Sequence, residues 1–349
     1  MIGKMYGKQF VPYQVVWEIT LKCNLKCIHC GSSAGRKRPE ELSTKEAMKL
    51  CKDLAEIGSK QVCLMGGEPF LRKDWYQLGK EIKDLGMDLL MISNGYAVDR
   101  DILSKLSRLE IYGLSFSLDG AESSTHDYIR GVKGSFDRVI KAISMSREYD
   151  LPITVITTVN RLNLKDLPRL RDFLINRDIA WQIQVAMPQG RFSRDLLISK
   201  EEFYALGLFI ANLRRKYSVK ELPVIGAHCF GYFSKYIPHL GLSKQWAGCQ
   251  AGLSILSIKS NGDIIGCLTL PDDFIEGNIR DISVVEIWES EDSFAYNRKF
   301  KEDTLGENCR KCKYGGVCRG GCTGVSVSLT GEPHNDPYCF YAIERERGF

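Results

Sequence analysis

The chain has 349 residues, 44% hydrophobic and 26% charged, the balance of an ordinary globular protein. That length suffices for two domains or for one large barrel with an appendage. A net charge of +5 from 48 basic and 43 acidic residues is too mild to argue for a nucleic-acid partner. No apolar run reaches the ~18 residues of a spanning helix, and the polar stretch Met1–Phe10 lacks a signal-peptide core. The expectation is a cytoplasmic protein with no membrane association. Thirteen cysteines, an odd number at short spacings with no export signal, favour metal ligation over disulfides.

In chain order, Val15–Ile19 reads as the first strand, a continuous apolar and β-branched run. Ser43-Thr44-Lys45-Glu46 is a capping box, and Ala47, Leu50, Cys51, Leu54 and Ile57 follow at helical spacing. Gln61–Met65, Asp88–Ile92, Gly113–Leu118, Ile153–Val159 and Trp181–Met187 read as five more strands. Between them Arg72–Leu85, Arg100–Leu109, Ser135–Tyr149 and Leu164–Asn176 have helical patterns. Strand–helix alternation of this kind implies a parallel sheet. The fold class is α/β, a partial (β/α)6 TIM-type barrel over residues 1–200.

A second capping box, Ser199-Lys200-Glu201-Glu202, opens a helix whose apolar face is Phe203, Leu206, Ile210, Leu213 and Tyr217. Residues 201–225 are a bridging helix and linker. The texture then changes, because eight of the 13 cysteines fall between Cys229 and Cys339. Ser254–Lys259 and Asp263–Cys267 flank Asn261-Gly262, a two-residue hairpin signal. Residues 226–349 therefore form a small Cys-rich α+β domain containing a β-hairpin.

Cys23-x3-Cys27-x2-Cys30 follows the first strand. A four-iron cube wants four ligands, so three thiolates leave one iron open, and an open position marks catalytic sites. The loop after strand two reads Gly66-Gly67-Glu68-Pro69, with glycines that permit close approach to the backbone and a carboxylate for an amine. Later strand ends carry Ser93-Asn94-Gly95, Ser117-Leu118-Asp119-Gly120 and Pro188-Gln189-Gly190-Arg191. Strand ends of this kind carry the chemistry of β/α barrels.

This pairing of triplet and Gly-Gly-Glu-Pro loop resembles the radical S-adenosylmethionine (radical SAM) enzymes over residues 14–200. His29 stands where that family usually has an aromatic residue, a position at which the backbone is expected to matter. The resemblance implies that the open iron chelates the methionine end of SAM and that Gly66, Gly67, Glu68 and Pro69 flank its amino group. It implies that an electron from the cluster generates a 5′-deoxyadenosyl radical, which takes a hydrogen atom from the substrate. It places Ser117 and Asp119 near the ribose, Arg130 on the SAM carboxylate, and Ser93, Asn94 and Met187 in the cofactor's surroundings. Asp119, which could instead cap the following helix, is the one candidate for a catalytic group.

Cys249, Gly262-x4-Cys267, Cys309-x2-Cys312-x5-Cys318-x3-Cys322 and Cys339 resemble the SPASM domain of radical SAM enzymes that modify peptides. The resemblance implies two auxiliary [4Fe–4S] clusters beside the SAM-binding one, three in all. The outer one falls to Cys309, Cys312, Cys318 and Cys339. The inner one falls to Cys249, Cys267 and Cys322, with Cys229 as the candidate fourth ligand or an open site in its place.

Alone, a C-x2-C pair suggests zinc, and a structural zinc or iron–sulfur protein is the reading outside enzymology. Cys51 and Cys63 read as small buried hydrophobes. The resemblance implies a peptide or small-protein substrate, oxidised to a thioether or carbon–carbon cross-link of a ribosomal peptide. Alternatives are oxidation of haem-pathway porphyrin side chains and sulfatase formylglycine maturation. Leu268 stands where the sulfatase-maturating members carry Asp, which counts against the latter. An electron donor such as flavodoxin or ferredoxin is implied. Strand one begins near residue 15, so recognition of a leader peptide is expected to fall to a separate protein or to the SPASM surface.

Overall fold

The computed structural model describes residues 10–243 and 245–348. Six strands appear where the sequence places them: β1 (Gln14–Thr20), β2 (Gln61–Gly66), β3 (Asp88–Ser93), β4 (Gly113–Ser117), β5 (Ile153–Val159) and β6 (Ile179–Val185). Between them lie α1 (Thr44–Glu56), α2 (Trp75–Asp84), α3 (Arg100–Arg108), α4 (Ser123–Arg130), α5 (Ser135–Arg147) and α6 (Leu167–Leu174). Helix α7 (Lys200–Lys216) follows, then the short strand β7 (Val224–Gly226). Each of β1 to β7 pairs in parallel with the next. The barrel is partial and does not close.

Two elements before residue 227 are absent from the sequence-based reading. Helix α4 has few apolar positions, and β7 has only three residues. Their signals fall below the length at which periodicity separates helix from strand.

The Cys-rich segment is joined to the sheet. Strand β8 (Ile255–Ile258) pairs with β9 (Asp263–Ile265) across the Asn261-Gly262 turn, as expected, and β10 (Ile275–Asn278) continues antiparallel to β9. Strand β8 also pairs in parallel with β1, so one sheet of ten strands runs β10-β9-β8-β1-β2-β3-β4-β5-β6-β7. The Cys-rich segment thus sits beside the strand that leads into the triplet. Glu18, buried on β1, accepts hydrogen bonds from Ser260 Oγ at 3.0 Å and from Arg38 Nε at 3.1 Å.

Both capping boxes form. Ser43 and Glu46 exchange hydrogen bonds at the start of α1, and Ser199 and Glu202 do so at α7. Trp17 on β1 and Trp181 on β6 are fully buried, as are Leu50, Leu54 and Leu64. Cys51 and Cys63 are buried. Among the described residues, no helix is long and apolar enough to cross a membrane.

Glu46 also ties α1 to the segment after β10, because Arg280 donates from Nε at 2.6 Å. Arg280, with the Ser43 cap, pulls the Glu46 carboxyl down from 4.5 to about 2. A depressed folded-state value stabilises the protein above the ordinary carboxyl pKa. That contribution is lost as pH falls from about 4.5 through about 2. The pair is partly exposed, so the effect is small. The variant E46Q is expected to flatten the acid limb of stability in that window, read as the denaturant midpoint against pH.

Candidate active site and auxiliary metal centres

The triplet loop is held by its neighbours. Cys23 N donates to Gly35 O at 2.9 Å, Lys26 N to Arg130 O at 3.1 Å and Ile28 N to Ile129 O at 2.9 Å. The carbonyls at the end of α4 thus accept from the triplet backbone, which brings Arg130 beneath the loop. Arg191, after β6, donates from Nε to Cys27 O at 2.9 Å and from a terminal nitrogen to Ala34 O at 2.8 Å. Sequence reasoning placed Arg191 on the sixth strand-end loop without seeing this clamp, because a side chain that meets backbone carbonyls has no sequence partner to betray it.

Gly66 and Gly67 face the same loop. Gly67 N donates to Thr20 O and Glu68 N to Lys22 O, both at 2.8 Å. Gly66 has φ +151°, and a Cβ there would stand 2.2 Å from Thr20 O. A Cβ on Gly67 would stand 2.3 Å from Lys22 O. The glycines are therefore required by the triplet backbone as well as by any ligand. The variant G66A is expected to push the β2 loop off the triplet and to lose SAM cleavage while keeping the auxiliary iron, checked by 5′-deoxyadenosine assay and iron analysis.

The triplet, Gly66, Gly67, Ser93, Asn94, Ser117, Arg130 and Arg191 wall a cavity of about 130 Å³. Glu68 is absent from its wall. Its buried carboxylate instead accepts from Ser93 Oγ and Asn94 N, both at 2.8 Å, and from Phe70 N. Burial pushes this carboxyl up to about 7, opposed by those hydrogen bonds. Glu68 thus acts by fixing Ser93 and Asn94, and it starts the short turn that begins at buried Pro69. Asn94 Nδ2 lies 3.7 Å from Cys23 Sγ and donates to Asn24 Oδ1 at 2.8 Å, linking the third strand end to the triplet.

Asp119 is fully buried and does not cap α4. It meets Arg130 at 2.7 Å and His29 Nε2 at 3.0 Å, and it accepts from Thr158 N at 2.8 Å. Burial would raise its carboxyl, but Arg130 and His29 hold it below the usual carboxylate range. His29 thus uses its side chain, where the sequence suggested that only its backbone mattered. Arg130 pairs with Asp119 and approaches Cys27 Sγ at 3.7 Å, yet its Nε has no partner among the described residues and it remains on the cavity wall. Met187 lies on the wall of a second cavity.

That second cavity, of about 330 Å³, is shared by the two halves. Cys30, Met65, Gly66 and Arg130 wall one side, and His228, Cys229, Leu268 and Cys322 wall another. An adjoining cavity of about 420 Å³ shares Glu18, Gln189 and Thr269 with it and adds Arg38, Lys259 and Asp272. Gln189 donates to Thr269 O, which joins the sixth strand-end loop to the segment after Cys267.

Beyond it the downstream cysteines gather. Cys309, Cys312, Cys318 and Cys339 wall one pocket together with Asp336 and Tyr232. Cys322 is within electrostatic reach of Cys249 and Cys267. Cys229 Sγ accepts from Val185 N at 3.4 Å, and its neighbour His228 meets Cys322 Sγ at 3.5 Å. Asp336 lies between the two groups, accepting from Tyr232 OH and from Cys322 N.

The donor sets suit iron–sulfur clusters. All 13 cysteines are free thiols. Burial pushes Cys23, Cys229 and Cys339 up to about 11 and Cys309 up to about 12. A metal's positive charge favours the thiolate form that such buried thiols otherwise resist. Arg130 and His29, each with a buried nitrogen that has no hydrogen-bond partner among the described residues, stand on the wall of the first cavity, which suits a polar ligand.

Such a fold and site define a cluster-dependent enzyme. Residues 17–174 match the radical SAM superfamily model and residues 249–313 that of an iron–sulfur cluster-binding domain, SPASM. The chain is 29% identical to the AdoMet-dependent heme synthase of Methanosarcina barkeri, covering 95% of this chain and 97% of that one. It is 29% identical to the mycofactocin maturase MftC of Mycolicibacterium smegmatis, covering 96% and 86%. Among solved structures, Streptococcus suis SuiB bound to S-adenosylmethionine superposes with a TM-score of 0.74 at 18% identity, covering 95% of this chain and 76% of that one. At that identity the likeness shows the fold.

The chain belongs to the radical SAM superfamily and carries a C-terminal SPASM domain. It is an enzyme whose cofactors are SAM and [4Fe–4S] clusters.

Proposed function

We propose that this enzyme oxidises a peptide side chain, forming a thioether or carbon–carbon cross-link in a ribosomal peptide. The observation that carries the reading is the single cavity touched by Cys30, Gly66 and Arg130 on one side and by Cys322 on the other. A substrate there lies between a hydrogen-abstracting site and an electron acceptor. Residues 1–200 supply the first, residues 226–349 the second, and residues 201–225 connect them.

Cys23, Cys27 and Cys30 hold the SAM-binding cluster, and Gly66, Gly67, Ser93, Asn94, Ser117 and Arg130 line the SAM site, with Met187 and His29 nearby. When bound, these groups supply one-electron chemistry that removes a hydrogen atom from substrate. The residues around them hold that site rigid. Glu68 orients Ser93 and Asn94, Asp119 holds Arg130 and His29, and Arg191 fixes the triplet backbone. Cys309, Cys312, Cys318 and Cys339 hold the outer auxiliary cluster, and Cys249, Cys267 and Cys322 the inner one. A flavodoxin or ferredoxin serves as electron donor, and a separate protein recognises the leader peptide.

The kinship with mycofactocin maturase and with the PqqA peptide cyclase of Bradyrhizobium diazoefficiens supports a peptide. So does the wall of the shared cavity, where no Phe, Tyr or Trp among the described residues offers a ring on which a flat macrocycle could stack. A second reading, oxidation of a porphyrin side chain in the haem pathway, is favoured by the heme synthases that match almost end to end. The test incubates reconstituted protein with SAM, dithionite and a precursor peptide encoded beside its reading frame. Loss of two hydrogens from the peptide with matching 5′-deoxyadenosine is expected. Modification of a propionate-bearing iron porphyrin, with the peptide untouched, overturns the peptide reading in favour of the second.

A further inference from the structure

Loop residues 227–230 after β7 present a histidine and a cysteine side by side to the shared cavity, and the two are held differently. Cys229 Sγ is engaged by Val185 N at 3.4 Å. Phe230 stacks on Phe203 of α7 at 5.6 Å with an interplanar angle of 9°. Ala227 N donates to Ile183 O at 2.8 Å. His228, between these anchors, faces Cys322, whose Sγ lies 3.5 Å from Nδ1. His228 and Cys322 both stand on the cavity wall.

We propose that His228 is a positioning residue of the inner auxiliary cluster, donating an N–H···S hydrogen bond to Cys322. This rests on the assignment of Cys322 to that cluster. A cluster-bound cysteine is a thiolate, so the proton of the contact lies on the imidazole. The neutral ring then carries its hydrogen on Nδ1 and leaves Nε2 as an acceptor, which makes no hydrogen bond to a described residue. Hydrogen bonds to ligand sulfurs are among the factors that set cluster potentials, because they stabilise the more negative reduced state. His228 therefore makes the inner cluster a better electron acceptor for whatever occupies the cavity.

The test uses the full chain with Cys23, Cys27 and Cys30 replaced by alanine, so that the auxiliary clusters alone are titrated by potentiometric electron paramagnetic resonance. The variant H228F is expected to shift the inner cluster to a more negative midpoint potential, with the outer cluster unmoved as internal reference. H228Q, which keeps an N–H donor, is expected to return toward the parent. The reduced parent is expected to show a weak ¹⁴N coupling that H228F lacks. An unchanged potential in H228F or no nitrogen coupling in the parent overturns the proposal. The last readout requires no variant at position 228 to fold. Neither SAM nor substrate enters the measurement, so its outcome is independent of whether the peptide reading holds.

Discussion

Replacing Cys27 with alanine is expected to abolish SAM cleavage and to lower the iron content from about twelve to about eight atoms per chain, on four irons per cluster. Cys27 is buried, and its thiol approaches Arg130 at 3.7 Å. Three thiolates already leave the cluster one ligand short, so removing another leaves two, too few to retain it. The effect should exceed the ~10–100-fold loss typical of removing a group that merely orients a metal ligand. The auxiliary iron should remain, because the downstream cysteines gather around other cavities. Iron analysis and 5′-deoxyadenosine assay read the two parts separately.

The second large effect is expected at Arg130. Asp119 and Arg130 form a buried ion pair at 2.7 Å, with the Asp119 side chain fully inaccessible. R130M leaves that carboxylate with His29 and Thr158 N. Breaking a buried pair by removing one partner costs about 3–5 kcal/mol, because the remaining charge is uncompensated. The double variant R130M/D119N is expected to be less destabilised than the sum of the two single changes, since it removes both charges. Denaturant midpoints of the four proteins test this. SAM cleavage should fall in R130M as well, because the Arg130 side chain walls the triplet cavity and approaches Cys27 Sγ at 3.7 Å.

Much of the architecture was legible because parallel strands buried on both faces leave continuous apolar runs. All six strands of the partial barrel, both capping boxes and the Asn261-Gly262 hairpin appear where the sequence puts them. The triplet and the Gly66–Pro69 loop were legible as motifs, since ligand spacing along one loop is written in the chain. What escaped was pairing across long separations. Nothing in the pattern of β8 announces that it will lie parallel to β1. The same holds for His29 meeting Asp119, Arg191 reaching Cys27 O, and His228 facing Cys322. Each is a side chain meeting a partner that topology supplies, and local periodicity carries no trace of it. Glu68 shows a related blind spot. Its residue type suggested contact with an amine, whereas its burial turns it toward Ser93 and Asn94.

The central claim is that the cavity around Cys23, Cys27, Cys30, Gly66 and Arg130 holds SAM for reductive cleavage. The direct measurement is 5′-deoxyadenosine released by anaerobically reconstituted wild-type protein given SAM and dithionite. Release is expected from a brown protein carrying about twelve irons per chain, and its loss is expected in the Cys27 variant. A protein that is fully loaded with iron, reduced and supplied with SAM, yet never cleaves it, contradicts the account.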